Sequence, residues 1–171
     1  DSSIVPSTDI VGNPRPNPSG TNPDIGAYEN SFGEPQNKVW YVSTTGSDSN
    51  EGSASEPFAT IQAGVNAASS GDTISVAAGT YTENVLLENP DGGPYRSLYV
   101  IGEDKNTTII DGGQSGSAFR VWRNPHLLLK NFTIQNGTGF ESAGGAVNLS
   151  GADGSSRTAV LENLILKNNS G

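Results

Sequence analysis

The sequence predicts an all-β solenoid, in which short strands stack coil upon coil and a single α-helix covers the first coil. The composition favours many short strands: 33% of the 171 residues are hydrophobic, only 16% are charged, and 22 are glycines. Disordered chains are usually highly charged and poor in β-branched residues, and this chain is neither. From residue 97 onward, short apolar runs alternate with glycine, asparagine and aspartate, as expected for strands joined by tight turns.

A repeat with a fixed period predicts how these strands are arranged. The run LLKNFTIQN at 128–136 matches VLENLILKN at 160–168, with apolar and asparagine positions all offset by 32 residues. Equal spacing marks the coils of a solenoid, where each coil buries its apolar face against neighbours about 4.8 Å away. Because Asn131 and Asn163 occupy the same place in consecutive coils, we predict that their side-chain amides stack as a ladder at a sharp bend.

One amphipathic helix is predicted between about Pro57 and Ala68. Its apolar positions recur every three or four residues and form one stripe: Phe58, Ile61, Val65 and Ala68. Ser55 is the candidate N-cap, and Gly71 lies just beyond the predicted end. Since the first coil of a solenoid exposes an apolar end and unpaired strand edges, we expect this helix to cover them.

The first 36 residues differ in character from the rest of the chain. They contain six prolines, which cannot donate a hydrogen bond to a sheet, and their first alternating run is DIGAYE, at 24–29. We therefore predict three parts: a tail at 1–29, a linker at 30–37 and a solenoid domain at 38–171. Because the sequence contains no methionine, we expect it to be a segment of a longer protein.

The charge balance argues against two classes of partner. Eighteen acidic residues against nine basic ones give a net charge of −9. Nucleic acids and anionic membranes attract clustered lysine and arginine, so neither is an expected partner. No apolar run approaches the roughly 20 residues that cross a bilayer, so we expect no membrane insertion by this segment. With no cysteine, the chain has neither disulfides nor thiolate metal ligands.

Two stretches resemble known families. PFATIQAGVNAASSGDTISVAAGTYTENV resembles the start of right-handed parallel β-helix proteins of the pectate-lyase-like superfamily, and YVIGEDKNTTIIDGG and LLLKNFTIQNG resemble its next coils. This resemblance covers residues 39–171 and implies a right-handed parallel β-helix with an N-terminal capping helix. GNPRPNPSGTNPDIGAYE resembles the C-terminal end of bacterial surface domains called choice-of-anchor Q domains. It implies that residues 1–29 end one β-helix and that residues 38–171 begin another.

The resemblance also implies what catalysis would require. Pectin methylesterases of this fold use two aspartates and an arginine, and pectate lyases use Ca²⁺ held by several carboxylates together with a base. After the IIDGG run the chain offers only Glu141, Asp153 and Glu162, with no acid–base pair. Tyr81 and Glu83, in the esterase-like run AGTYTENV, are interpreted as first-coil packing and a turn. We therefore expect no catalytic residue in this segment.

Two candidate binding sites remain. Arg120 and Arg123 flank Trp122, an arrangement suited to stacking on a sugar and holding it, so these three residues are the candidate carbohydrate contact. The alternative is a solvated strand edge with a half-buried tryptophan. A loop with four oxygen donors suits Ca²⁺, although its spacing does not match an EF-hand: Asp48, Asn50, Glu51 and Glu56. No other cofactor is expected.

These observations predict a non-catalytic structural or adhesive module of a large bacterial surface protein, secreted and extracellular. Its expected partners are other β-helix domains of the same or neighbouring chains, joined end to end through residues 1–29, and polysaccharide at the candidate contact. Two alternatives stay open. One is a polysaccharide lyase or pectin-esterase-like enzyme whose site lies on coils beyond residue 171. The other is a carbohydrate-binding β-helix that uses Trp122, Tyr95 and Tyr99.

Overall fold

The computed structural model of this chain describes residues 37–88, 97–122, 126–139, 144–150 and 158–171. These residues belong to one unit, Asn37–Gly171, in which twelve strands and one short helix are described. The predicted tail at 1–29 and the linker up to residue 36 lie outside the described residues. So do four residues named above: Tyr95, Arg123, Glu141 and Asp153.

Each complete coil contributes three strands. The first coil consists of β2 (Thr73–Val76), β3 (Gly79–Thr82) and β4 (Val85–Glu88). The second consists of β5 (Ser97–Gly102), β6 (Thr108–Asp111) and β7 (Phe119–Trp122). The third consists of β8 (His126–Lys130), β9 (Thr133–Gln135) and β10 (Val147–Ser150), and β11 (Thr158–Glu162) and β12 (Ile165–Lys167) follow. Strand β1 (Val39–Val42) and helix α1 (Ile61–Ala67) precede these coils.

The strands stack into three sheets, and every pairing between the described strands is parallel. The five-stranded sheet has the order β1-β2-β5-β8-β11, the four-stranded sheet β3-β6-β9-β12, and the three-stranded sheet β4-β7-β10. Parallel neighbours require the chain to travel around the stack before it pairs again. The solenoid predicted from the sequence is therefore confirmed as a parallel β-helix, and β1 extends its five-stranded sheet by one strand.

The coils differ in length. Ile74 pairs with Val100 and Val100 with Leu129, which gives offsets of 26 and 29 residues. Leu129 then pairs with Leu161, at the offset of 32 that the sequence repeat shows. The repeat is therefore visible in the sequence only between the last two coils, because the turns of the earlier coils are shorter.

The core runs along the axis of the stack and is filled by the inward residues of all three sheets. Ile74, Val100 and Leu129 form one inward column, and Ile110 and Ile134 belong to another; all five are fully buried. Burying a side chain of this size contributes about 1.5–3 kcal/mol. The coils are thus held together mainly by apolar contact between equivalent positions of adjacent coils.

Helix α1 begins at Ile61, so the predicted start near Pro57 is wrong, as is the predicted N-cap at Ser55. Thr60 is the N-cap, and its hydroxyl accepts a hydrogen bond from the Ala63 amide at 3.1 Å. The preceding segment cannot be helical because its amide groups serve the sheet: Phe58 N–H donates to the Tyr41 carbonyl at 2.9 Å.

The N-terminal end of the stack is closed by α1 and by the segment before it. Ile61 and Val65 of the helix are buried, and α1 packs against β1, β2 and β4. The Tyr41 amide of β1 donates to the Gly52 carbonyl at 2.9 Å, so the loop before the helix bonds to the outer edge of the five-stranded sheet. The predicted capping role of the helix is therefore confirmed.

Candidate functional site

The structure brings Asn131 and Asn163 together at the bend between two sheets. The Nδ2 of Asn163 donates to the Oδ1 of Asn131 at 2.8 Å, and the Nδ2 of Asn131 donates to the Gly102 carbonyl at 3.1 Å. Both asparagines have positive φ, 65° and 53°, a backbone conformation that asparagine tolerates better than most residues. The side-chain amides therefore connect three coils, and Lys105 Nζ also donates to Asn163 Oδ1 at 2.7 Å.

Arg120 and Trp122 lie side by side on the outer face of the three-stranded sheet. They are two residues apart on β7, whose intervening Val121 is buried, so both side chains point outward. The Arg120 guanidinium carbon lies 4.9 Å from the Trp122 ring centroid, which is cation–π geometry. Two members of the predicted carbohydrate contact are thus adjacent, and the third, Arg123, lies outside the described residues.

A groove of about 400 Å³ lies beside Arg120. Its wall is built by Asn84, whose Nδ2 donates to three backbone carbonyls and whose Oδ1 accepts from the Ser115 hydroxyl at 2.7 Å. Arg120, Thr138 and Asn148 also line the groove, and their side chains make no hydrogen bond within the described residues. A guanidinium with neighbouring amide and hydroxyl groups can bind a carboxylate or a row of sugar hydroxyls.

Glu83 caps the helix. Its two carboxylate oxygens accept hydrogen bonds from the Ile61 and Gln62 amides at 2.9 and 3.0 Å. Burial raises the pKa of Glu83 above its ordinary value, and the two amide donors only partly offset this. Tyr81 is buried and donates its hydroxyl to the Ala77 carbonyl at 2.9 Å. Both residues of the esterase-like run therefore have structural partners.

The side-chain amide of Gln62, on the first turn of α1, forms the pair of hydrogen bonds with β4 that the backbone of a neighbouring strand would otherwise form. Its Oε1 accepts from the Leu86 amide at 2.7 Å, and its Nε2 donates to the Leu86 carbonyl at 3.0 Å. Since β4 lies at one edge of the three-stranded sheet, this side chain satisfies backbone groups that an edge strand leaves unpaired. Nothing in the local sequence distinguishes Gln62 from an ordinary exposed helix residue.

Asp72 is 3% exposed and accepts three hydrogen bonds. The donors are the Lys38 amide at 2.9 Å, the Trp40 indole at 2.9 Å and the Ser69 amide at 2.8 Å. Burial acts to raise the pKa of Asp72, but hydrogen bonds from Ser69, Trp40 and Lys38 outweigh it and hold the pKa below its ordinary value. The carboxylate joins β1 to the segment after the helix, a role that the local sequence around Asp72 does not indicate.

In the loop proposed for Ca²⁺, both carboxylate oxygens of Asp48 are already used within the fold, and Asn50 is held through its side-chain nitrogen. Asp48 accepts from the Ala59 and Thr60 amides and from the Thr60 hydroxyl, each at 2.9 Å. The Asn50 side-chain amide donates to the Pro57 carbonyl, also at 2.9 Å. Among the described residues, no group of three or more His, Cys, Asp or Glu side chains is placed to hold a metal ion. A Ca²⁺ ion in this loop stays a prediction.

Asp111, on the four-stranded sheet, also uses its carboxylate to hold parts of the fold together. It accepts from the Gln135 and Asn136 side chains of the next coil at 2.8 and 2.9 Å, and from the Gly113 amide at 2.9 Å. These bonds, the one from Gln135 above all, lower the pKa of Asp111. The carboxylate thereby connects two coils at their edge.

Stacked parallel sheets, asparagines paired across coils and a helix over the first coil define a parallel β-helix. The family described as "Pel9A-like, right handed beta helix region" matches residues 40–171, and the chain belongs to it. The fold is therefore a right-handed parallel β-helix of the pectate-lyase-like superfamily, as the resemblance implied. The choice-of-anchor Q resemblance falls on residues 1–29, outside the described residues, and stays a prediction.

A relative from Bacillus subtilis (strain 168), "Uncharacterized protein YwoF", is similar to this chain. The two are 27% identical over 134 residues, which is 73% of this chain and 28% of the relative. The chain thus corresponds to somewhat more than a quarter of that longer protein. No solved structure matches the chain. Within the part of the chain that the structure describes, no helix is both long and apolar enough to cross a membrane.

Proposed function

We propose that the chain is a non-catalytic structural and adhesive module of a large secreted surface protein built from tandem β-helices. Its partners in this proposal are other β-helix domains of the same or neighbouring chains. The proposal rests mainly on how carboxylates are used: most acidic side chains of the described coils bond to other groups of the fold. The membership of a solenoid family supports it, because stacked coils are extended surfaces suited to lateral and end-to-end contact.

An acid–base catalyst needs a carboxyl group within hydrogen-bond reach of its substrate. Here Asp72 and Glu83 are engaged by backbone amides, and Glu162 is paired with Lys130 at 2.6 Å. The remaining acceptors within the described coils follow the same pattern: Asp48, Glu103, Asp104 and Asp111. No two of these carboxylates face one another across the groove beside Arg120. This use of carboxylates supports a contact role for the described coils over acid–base catalysis.

The catalytic part of the proposal is tested with the full 171-residue chain on polygalacturonate and on methyl-esterified pectin, with Ca²⁺ present. We expect neither ultraviolet-absorbing unsaturated product nor released methanol. The Arg120→Ala variant serves as the control, because Arg120 is the basic residue placed at the groove. Product from the native chain that is lost in this variant would show that the segment is an enzyme.

The surface location is tested on intact cells of the source organism. Brief trypsin treatment should release peptides of this chain while a cytoplasmic marker stays inside. The tandem arrangement predicts further that deleting residues 1–30 leaves the melting transition of residues 38–171 nearly unchanged and abolishes end-to-end association. Peptides released only after lysis contradict the surface location, and loss of folding on deletion contradicts the tandem arrangement.

A second candidate function is the binding of an acidic polysaccharide at Arg120 and Trp122. It is favoured by the Arg120 guanidinium, which makes no ion pair within the described residues and stands over Trp122 beside the 400 Å³ groove. We expect hexagalacturonate to bind in isothermal titration calorimetry, and Arg120→Ala to weaken binding more than Arg120→Lys. Equal affinity of the native chain and Arg120→Ala excludes this function.

A further inference from the structure

The outer face of the five-stranded sheet exposes a band of apolar side chains, here called the tyrosine face: Val39, Tyr41, Tyr99, Ile101, Leu128 and Val160. Tyr41 is 37% exposed, Tyr99 40% and Val160 47%. Two outward columns form the face. Tyr41 is followed in its column by Ser75 of β2 and then Ile101, and Val39 is followed by Thr73 of β2 and then Tyr99, so a polar strand separates the two tyrosines. The two tyrosines therefore lie diagonally on adjacent columns of the same surface.

Two cavities lie on the tyrosine face. The larger, about 720 Å³, is lined by Tyr41, Ser75 and Ile101 of the sheet and by Ser43 and Thr45 of the loop that follows β1. The smaller, about 330 Å³, is lined by Tyr99 and other side chains of the same sheet: Ser97, His126, Leu128 and Val160. Tyr99 is two residues from Ile101 on β5, or about 7 Å along the strand. The two cavities therefore succeed each other along one track.

We propose that the tyrosine face binds a neutral polysaccharide chain that crosses the coils and occupies both cavities. A pyranose ring presents C–H groups on its faces and hydroxyls at its rim. Tyr41 and Tyr99 offer exposed aromatic rings to the faces. The Ser43 and Thr45 hydroxyls bond to each other at 3.0 Å, and each keeps further hydrogen-bonding capacity for the rim of a sugar. Cavities of this size that combine apolar side chains with hydroxyl and amide groups are suited to a sugar, which has both C–H and O–H surfaces.

The charges around the two cavities favour a neutral sugar over an acidic one. Among the described residues, no lysine or arginine lines either cavity, and the larger one contains the Glu103 carboxylate. Lys130, the next residue of the Tyr41 column, is already ion-paired with Glu162 at 2.6 Å. A uronate in the larger cavity would therefore meet the Glu103 charge with no lysine or arginine in the lining to offset the repulsion. This preference is opposite to that of the groove beside Arg120, and it does not depend on the function proposed above.

The size of the face argues against a second copy of this chain as its occupant. Five strands spaced about 4.8 Å apart and four residues at about 3.3 Å give a face of roughly 300 Å². A stable protein interface buries about 800 Å² on each partner. An extended glycan needs only a narrow track, and the tyrosine face provides one.

The experiment is isothermal titration calorimetry of the full 171-residue chain with four hexasaccharides: cellohexaose, laminarihexaose, mannohexaose and hexagalacturonate. We expect at least one neutral hexasaccharide to bind at the tyrosine face. Tyr41→Ala and Tyr99→Ala should each weaken this binding about tenfold, whereas Tyr99→Phe, which keeps the ring, should retain it. Ile109→Ala removes a half-buried apolar side chain from the four-stranded sheet and is the matched control.

The binding and melting results together distinguish a glycan site from a structural effect. Because both tyrosines are on the surface, the alanine variants should melt as the native chain does, and binding lost at unchanged stability supports the site. No binding of the three neutral hexasaccharides overturns the proposal, as does equal binding by the tyrosine variants. Hexagalacturonate binding that is lost in Tyr99→Ala overturns the assignment to neutral sugars. A dimer in sedimentation that Tyr99→Ala dissociates shows that a second copy is the occupant.

Discussion

Replacing Asp72 by alanine removes the acceptor for three donors at once. The Lys38 and Ser69 amides and the Trp40 indole all point at this carboxylate, which is 3% exposed. A buried donor left without a partner costs about 1–3 kcal/mol, and water at the rim of the stack will satisfy part of that need. We therefore expect Asp72→Ala to lower the free energy of unfolding by about 3–5 kcal/mol, a large share of the 5–15 kcal/mol that typical domains possess.

The pH dependence gives an independent test of the same carboxylate. Its pKa lies below the ordinary value, so the unfolded chain binds more protons on this group than the folded chain does. The stability that Asp72 contributes is fully present above the ordinary aspartate pKa and is lost as the pH falls through the folded value. Glu83 has the opposite sign: its pKa is raised, so its contribution falls as the pH rises from the ordinary glutamate pKa through the raised value.

The assay is urea unfolding at several pH values, from neutral down to the acidic range in which both carboxyls titrate. Asp72→Asn should remove a component in which stability rises with pH, and Glu83→Gln a component in which stability falls with pH. Glu56→Gln, at an exposed carboxyl, is the matched control for the loss of one negative charge. If Asp72→Ala and Glu56→Gln unfold at the same urea concentration, or if Asp72→Asn keeps the native pH dependence, the assigned role of Asp72 is wrong.

The strand register and the contacts at the N-terminal end of the stack can each be tested by substitution. Ile134→Asp places an unpaired charge in the core and should abolish cooperative unfolding. Gln135→Asp on the outer face loses the bond to Asp111 and sets two carboxylates side by side near solvent, so it should lower stability but keep a cooperative transition; equal melting temperatures would refute the assignment of faces. Gln62→Ala frees the edge of β4 and should increase aggregation measured by light scattering, and an unchanged aggregation rate would contradict this. Asn163→Ala breaks the contact with Asn131 and should cost about 1 kcal/mol in denaturant unfolding; no loss would refute the contact's contribution.

The fold could be predicted because its signals are local or periodic. Alternating apolar runs mark strands, and the coil from Leu129 to Leu161 has the same offset, 32 residues, as the sequence repeat. The earlier coils, in which paired residues are 26 and 29 positions apart, give no visible sequence repeat because their turns differ in length. The start of the helix was missed because Ser55 and Thr60 are both plausible caps in sequence, and only the pairing of Phe58 with β1 excludes helix at the earlier residue.

The side-chain contacts at the closed end could not be predicted, because their partners are distant in the sequence. Asp72 bonds to residues 32 and 34 positions before it, and Gln62 bonds to Leu86, 24 positions after it. Neither residue belongs to a motif that names its partner. A carboxylate in the sequence of a solenoid is therefore poor evidence for catalysis until its hydrogen bonds are known.

Which residues become neighbours on the outer surface is also hard to predict, because those neighbours are distant in the sequence. Alternation within a strand predicts which side chains point outward, but it does not predict which outward residues of different coils become neighbours. Tyr41 and Tyr99 lie two strands apart on one sheet face because β2 pairs with both of their strands, and Arg120 faces outward from another sheet. The same coils thus present a cationic groove on one side and an apolar track with a carboxylate on another. If both proposals hold, Arg120→Ala will reduce the binding of acidic chains alone and Tyr99→Ala that of neutral chains alone, because a parallel β-helix separates its outer faces by sheet.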